Sequence, residues 1–275
     1  MIRTVTKQYT RDEVLGLLQP LVREWFASKF PGLTEPQAFA VPLIHERRTV
    51  LISSPTGSGK TLTAFLTVIN ELYSNQLEGT LEDKIYAVYV SPLKALANDI
   101  NRNLEEPLRE MRELAAAKGL PAPEIRVGVR SGDTSAQERQ RQARTPPHIF
   151  ITTPESLTLV LSAPKFRERF SDVRWVVVDE IHEVCGNKRG ALLSLSVERL
   201  QEHVGKEFCR IGLSATIAPI EEVAKYLAGY ANGRLRDVTS SRWRAGSPWT
   251  SRCCAPCGTS PSTRCRRRTR RCTTS

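Results

Sequence analysis

The sequence predicts an α/β protein built on a mostly parallel sheet with helices on both faces. Three observations carry that expectation. Apolar, β-branched segments alternate with helix-periodic segments from about residue 49 to residue 229. Several of the short segments are apolar without interruption, Trp175-Val176-Val177-Val178 above all. Strands of that kind are buried on both sides and belong to parallel sheets wrapped by helices. The stretches richest in Gly, Ser, Thr, Lys and Asp each follow such a segment directly, at the carboxyl end of a strand, where open α/β sheets bind ligands.

Taken in order, residues 12–30 form an amphipathic helical pattern that runs through Pro20. Thr34 then precedes Glu35 and Pro36, a suitable N-cap with proline in the first turn, and a helix follows through Ile44. Strands are expected at 49–53, 85–91, 125–130, 148–152, 173–178 and 208–213. Helices are expected at 61–73, 93–117, 134–143, 154–161, 190–203 and 219–229. The alternation stops near Val238. From there to residue 275 the chain has no Leu, Ile, Met or Phe and is dominated by Arg, Ser, Thr, Cys and Pro. Such a composition buries no core, so a disordered basic tail is expected over 238–275.

That tail also governs the charge. The chain of 275 residues carries a formal net charge of +11, and nine of its arginines lie in 238–275 with no Lys, Asp or Glu beside them. The remaining residues are close to neutral, so the global charge is no argument for nucleic-acid binding. Hydrophobic residues make up 40%, enough for a core. No apolar run reaches the roughly 18–20 residues of a membrane span. Met1-Ile2-Arg3-Thr4-Val5 lacks a signal peptide's apolar centre, so a cytoplasmic location with no membrane partner is expected.

The stretch with the most chemistry is Ser54-Pro55-Thr56-Gly57-Ser58-Gly59-Lys60-Thr61. A strand precedes it and a helix follows, the setting a phosphate-binding loop requires. Gly57 and Gly59 let the backbone curl until successive N–H groups face one concavity, and the helix adds its positive end. Lys60 is suited to the β- and γ-phosphates, and the Thr61 hydroxyl to Mg²⁺. A second constellation, Asp179-Glu180-Ile181-His182, ends the apolar run 173–178. An Asp there suits a Mg²⁺ ion and a Glu suits the attacking water. Ser214-Ala215-Thr216, Ser91-Pro92-Leu93-Lys94 and Thr152-Thr153-Pro154-Glu155 also end strands. Alone, each would pass for an ordinary helix cap.

In this order and spacing the set resembles the first RecA-like domain of superfamily 2 helicases of the DEAD/DEAH type. More narrowly it is similar to the large helicase-related (Lhr) proteins, through Asn98–Leu104, Arg130–Thr134, Pro164–Glu168, Asn187-Lys188-Arg189-Gly190 and Arg210–Leu213. Ser54 stands where the general phosphate-loop pattern has Gly, a position where helicases commonly have another small residue. The resemblance covers about residues 30–237, after a helical lead-in over 1–30. It implies ATP and Mg²⁺ as cofactors, with Pro55, Thr56, Gly57, Ser58, Gly59, Lys60 and Thr61 around the phosphates and Gln37 reading adenine. It implies that Thr61 and Asp179 hold the metal and that Asp179, Glu180 and Lys60 carry catalysis. His182, Ser214 and Thr216 would couple nucleotide to nucleic acid, and Lys94, Thr153 and Pro154 would lie near the nucleic-acid backbone. The implied partner is single-stranded or forked nucleic acid, DNA rather than RNA. The implied activity is ATP-driven 3′ to 5′ translocation and unwinding in a repair setting.

Such helicases use a second RecA-like domain with motifs IV to VI, which this sequence does not supply. The expectation is therefore a truncated chain, inactive as a helicase alone, with 238–275 read out of frame. Two alternatives stay open. One is a non-catalytic nucleotide or nucleic-acid binding module. The other is a real basic arm or zinc site using Cys254, Cys257, Cys265 and Cys272. The order of the weaker motifs speaks against a nucleotide kinase.

Overall fold

All six strands expected between residues 49 and 213 form, each within two residues of its expected ends. They are seen in a computed structural model that describes residues 1–4, 7–55, 57–92, 94–215 and 219–242, the side chains of 94–103, 241 and 242 excepted. The chain runs β1 (Ile2–Thr4), α1 (Arg11–Gly16), α2 (Pro20–Lys29), α3 (Glu35–His45), β2 (Val50–Ser53), α4 (Lys60–Leu77), β3 (Ala87–Val90) and α5 (Lys94–Ala117). It continues through β4 (Val127–Arg130), α6 (Ala136–Arg144), β5 (Ile149–Thr152), α7 (Pro154–Leu161), α8 (Pro164–Arg167), β6 (Trp175–Val178), α9 (Ile181–Val184) and α10 (Lys188–Val204). The last elements are β7 (Cys209–Ser214), α11 (Ile220–Ala228), a small hairpin of β8 (Tyr230–Ala231) and β9 (Arg234–Leu235), and β10 (Val238–Arg242).

Among the described residues eight strands form one sheet, in the order β1-β10-β2-β7-β6-β3-β5-β4, and every neighbouring pair is parallel. Alternate residues point to opposite faces, which divides the core in two. Ile52, Tyr89, Trp175, Val177 and Ile211 pack under α2, α3, α4 and α5. Leu51, Val88, Val90, Val176 and Val178 pack under α7, α10 and α11. Trp175, Tyr89, Phe65 and Phe150 are fully buried, each stabilising the fold by roughly 1.5–3 kcal/mol through area removed from water. No helix of the described residues is long and apolar enough to cross a membrane.

Three sequence expectations change. Residues 12–30 are not one helix: Pro20 opens α2 at its first position, and the chain turns between Gly16 and Pro20. Proline has no N–H to give a preceding turn, so it starts the second helix. The lead-in over 1–30 is not wholly helical either, because Ile2–Thr4 pairs with Val238–Ser240. The ordered domain also runs past residue 237. β10 lies between β1 and β2, with Val238 N–H donating to Met1 O (3.1 Å) and Thr239 N–H to Thr49 O (2.9 Å). These strands take their order from backbone pairing with distant segments, which local periodicity does not register. Residues 243–275, with the proposed zinc ligands, lie outside the described residues, as do Thr56 and Thr216 and the Lys94 side chain.

Candidate nucleotide site

The loop after β2 carries the conformations a phosphate cradle needs. Gly57 and Gly59 have φ of +79° and +83°, a region open to glycine at little cost. Gly59 is also the N-cap of α4. A Cβ on it would stand 3.5 Å from the Gln37 amide nitrogen and the Thr34 side chain. Across the loop the hydroxyls of Ser54 and Ser58 are 2.6 Å apart, and Ser54 N–H donates to Ser214 O on β7 (3.2 Å). The loop is thus tied to two neighbouring strands.

Lys60 starts α4 and is buried beneath the loop. Its Nζ donates to Ser54 O (2.6 Å) and Ser214 O (3.0 Å). Burial pulls its pKa below the ordinary lysine value, while the carboxylates of Glu180 and Asp179 favour the charge. Those carboxylates come from the end of β6, two strands from β2. Asp179 is almost fully buried, and burial raises its pKa, with Glu180 adding to the rise. Opposing that, the Tyr89 hydroxyl, Glu180 N–H and Lys60 favour the carboxylate. Asp179 Oδ1 accepts from Glu180 N–H at 2.9 Å.

Glu180 sits at φ 41°, ψ 46°, the N-cap of the short α9. A left-handed non-glycine residue costs of order 1–3 kcal/mol and marks a backbone held by its surroundings. Its Oε2 is buried without a donor among the described residues. His182 Nδ1 lies 3.3 Å from that oxygen without hydrogen-bond alignment, and 3.2 Å from Ser214 Oγ. Glu180, His182, Ser214 and Lys60 therefore form one connected patch over the ends of β6, β7 and β2.

Sequence reasoning missed Tyr89. It lies on β3 beside Val177, stacked on Phe65 with ring centroids 5.3 Å apart. Its hydroxyl is fully buried next to Asp179 and Thr61 yet aligned with neither as a hydrogen-bond partner. Burial, with Asp179 beside it, pushes its pKa well above the ordinary tyrosine value. The signal was there: a phenol near the end of an otherwise aliphatic strand.

These residues fit a triphosphate and a divalent cation. The loop's glycines open the backbone, Lys60 supplies a cation, and Asp179 and Thr61 supply oxygens. The orphaned Glu180 Oε2 and Tyr89 hydroxyl are polar atoms in want of a partner. Other site expectations find different surroundings. Gln37 is buried, and its Oε1 accepts from Thr34 N–H at 2.9 Å, so the amide already caps α3. Thr153 and Pro154 are buried as N-cap and first residue of α7, with Thr153 Oγ1 accepting from Ser156 N–H (3.4 Å). What this turn offers outward is Glu155, not the threonine hydroxyl.

Comparison with known proteins shows the family. The model of the DEAD/DEAH box helicase family matches residues 34–223. The chain belongs to that family. It is 59% identical over 230 residues to the ATP-dependent helicase Lhr-Core protein 2 of Thermococcus barophilus, covering 84% of this chain and 26% of that protein. It is 56% identical over 237 residues to the Lhr-Core helicase of Methanothermobacter thermautotrophicus, covering 86% and 27%. Among solved structures it is similar to the Mycobacterium smegmatis helicase Lhr bound to ssDNA and AMP-PNP, with a TM-score of 0.76 and 45% identity over 84% of this chain and 28% of that one. The chain thus spans about a quarter of the length of the curated relatives it matches.

Proposed function

We propose that this domain binds ATP·Mg²⁺ and hydrolyses it when single-stranded nucleic acid, DNA rather than RNA, lies across the starts of α5 and α7. In this reading it is the first RecA-like domain of an Lhr-type helicase working 3′ to 5′ in repair. The observation that carries the reading is the convergence of Lys60, Asp179 and a Glu180 carboxylate oxygen without a donor among the described residues, at the ends of β2 and β6, the parallel strands that flank β7. When bound, Mg²⁺ would neutralise charge developing on the phosphates. Asp179 and Thr61 would hold the ion, Lys60 would hold the β/γ-phosphates, and Glu180 would orient the attacking water and accept its proton. His182 and Ser214 join that carboxylate to β7, one route by which nucleic acid would alter turnover. The test is phosphate release by the 275-residue chain with Mg²⁺ and ATP, with and without an oligo-dT strand. Stimulation by the strand supports the reading. Tight ATP binding with no hydrolysis under either condition, persisting when a second RecA-like domain is supplied, would instead favour a non-catalytic module.

Adenine reading by Gln37 belongs to the same proposal, and the capping contact adds a consequence. Oε1 has two lone pairs, so it can keep Thr34 N–H and still accept from a base, and one side chain would serve both as cap and as reader. Gln37→Ala should therefore narrow the preference for ATP over GTP and also cost about 1 kcal/mol of stability through the lost cap. Competition binding and thermal melts read the two effects separately. Unchanged base preference with lowered stability would make Gln37 a cap alone.

A further inference from the structure

The stretch Asn187-Lys188-Arg189-Gly190, which the nucleotide site does not use, lies between the acidic turn after β6 and the two helix starts assigned to nucleic acid. Its backbone is fixed first. Asn187 Oδ1 accepts from Gly190 N–H at 3.0 Å, and Asn187 Nδ2 donates to Glu183 O at 2.7 Å. Tyr226 on α11 donates its hydroxyl to Gly190 O at 2.8 Å. A Cβ on Gly190 would stand 1.9 Å from Val184 O, so only glycine lets α10 seat this closely on α9. α9 itself begins directly after Asp179-Glu180. The start of α10 is therefore locked to the segment that carries the site's carboxylates.

From that fixed point Arg189 reaches two other segments. Its Nε donates to Glu155 Oε1 (2.6 Å) and its Nη2 to Glu155 Oε2 (3.3 Å). The same Nη2 donates to Pro92 O at 2.7 Å. Glu155 is in the first turn of α7, and Pro92 lies two residues before α5. One planar guanidinium thus joins the approach to α5, the start of α7 and the acidic turn. A lysine ammonium on a flexible stem does not reproduce that fork.

We propose that Arg189 is a positioning residue that sets the spacing of the α5 and α7 starts, and so the track a nucleic-acid strand follows, relative to the nucleotide carboxylates. The inference rests on the nucleic-acid reading above. It makes Glu155 a working part of an anion-binding surface although its own charge repels a phosphate backbone. That yields a test by sign. If Glu155 were only a rim charge, Glu155→Gln would tighten binding of an anionic strand. As half of the clamp, Glu155→Gln loosens it.

The experiment compares Arg189→Lys, Glu155→Gln and the double variant in the 275-residue chain. Labelled oligo-dT anisotropy, fluorescent ATP-analogue binding and thermal melts are the readouts. Substitutions along such networks shift coupling by roughly 2- to 30-fold. Each single variant should weaken oligo-dT binding by about that factor, with nucleotide affinity unchanged. The double variant should be no weaker than Arg189→Lys alone, because both substitutions open one clamp. Tighter binding by Glu155→Gln, additive losses, or variants indistinguishable from the unsubstituted chain would overturn the clamp while leaving the nucleic-acid reading standing. Absence of oligo-dT binding by the unsubstituted chain would overturn that reading, and the clamp with it.

Discussion

Glu180→Gln should abolish most ATP turnover while leaving ATP binding nearly intact. The side chain keeps its length and shape, so the left-handed N-cap of α9 at φ 41° is no more strained than before. What changes is a carboxylate oxygen that is buried without a donor among the described residues. As a carboxylate it accepts a proton from water; as an amide it does not. Removing a positioned general base costs typically about 10²- to 10⁴-fold in rate. Lys60 and Asp179 remain, so affinity for ATP·Mg²⁺ is expected within about twofold, well under the factor a lost charged hydrogen bond brings. Single-turnover phosphate release with saturating oligo-dT measures the first effect, and a fluorescent ATP analogue the second. Undiminished hydrolysis would transfer the base role to another group and leave Glu180 as part of the His182–Ser214 linkage.

Much of this was legible in the sequence, for a physical reason. Strands such as Val50–Ser53 and Trp175–Val178 are buried on both faces, so their apolar runs reflect a demand every residue in them meets. The left-handed turn before α4 was legible because its backbone needs Gly57 and Gly59 at defined places before Lys60. The rest depended on contacts between distant segments. Ile2–Thr4 is a strand because it pairs with Val238–Ser240, more than 230 residues away, and Val238–Arg242 because it pairs with both Ile2–Thr4 and Val50–Ser53. The resemblance alone places Thr153 near the nucleic-acid backbone, and that its hydroxyl is buried and donates to Ser156 Oγ is a matter of packing that the sequence does not register. Tyr89 was hidden inside a strand where its ring satisfies the core pattern and its hydroxyl does the unusual thing. Arg189 read as a family mark without a task, since its partners Pro92 and Glu155 lie 97 and 34 residues away.

Lys60→Ala is expected to weaken ATP binding by about 10- to 150-fold, the worth of a hydrogen bond between charged groups, roughly 1.5–3 kcal/mol. The geometry adds a second consequence in the protein alone. Lys60 Nζ donates to Ser54 O and Ser214 O, which lie on the loop and on β7. Alanine removes the donor from both. Ser214 O keeps Ser54 N–H as a partner at 3.2 Å, whereas no other donor to Ser54 O is evident among the described contacts. A buried acceptor left alone costs about 1–3 kcal/mol, offset in part because a charged ammonium no longer has to be buried, the same burial that pulls its pKa down. The net loss of stability is therefore expected to be smaller than the loss in ATP affinity. Lys60→Arg separates the two roles: it keeps charge and donors but places a wider fork under a loop built for a point charge. It should recover stability more fully than ATP affinity. Calorimetric titration with ATP·Mg²⁺ and denaturant melts of both variants read these outcomes. Equal ATP affinity in Lys60→Ala and the unsubstituted chain would make Lys60 a strut between β2 and β7 and remove it from the phosphates.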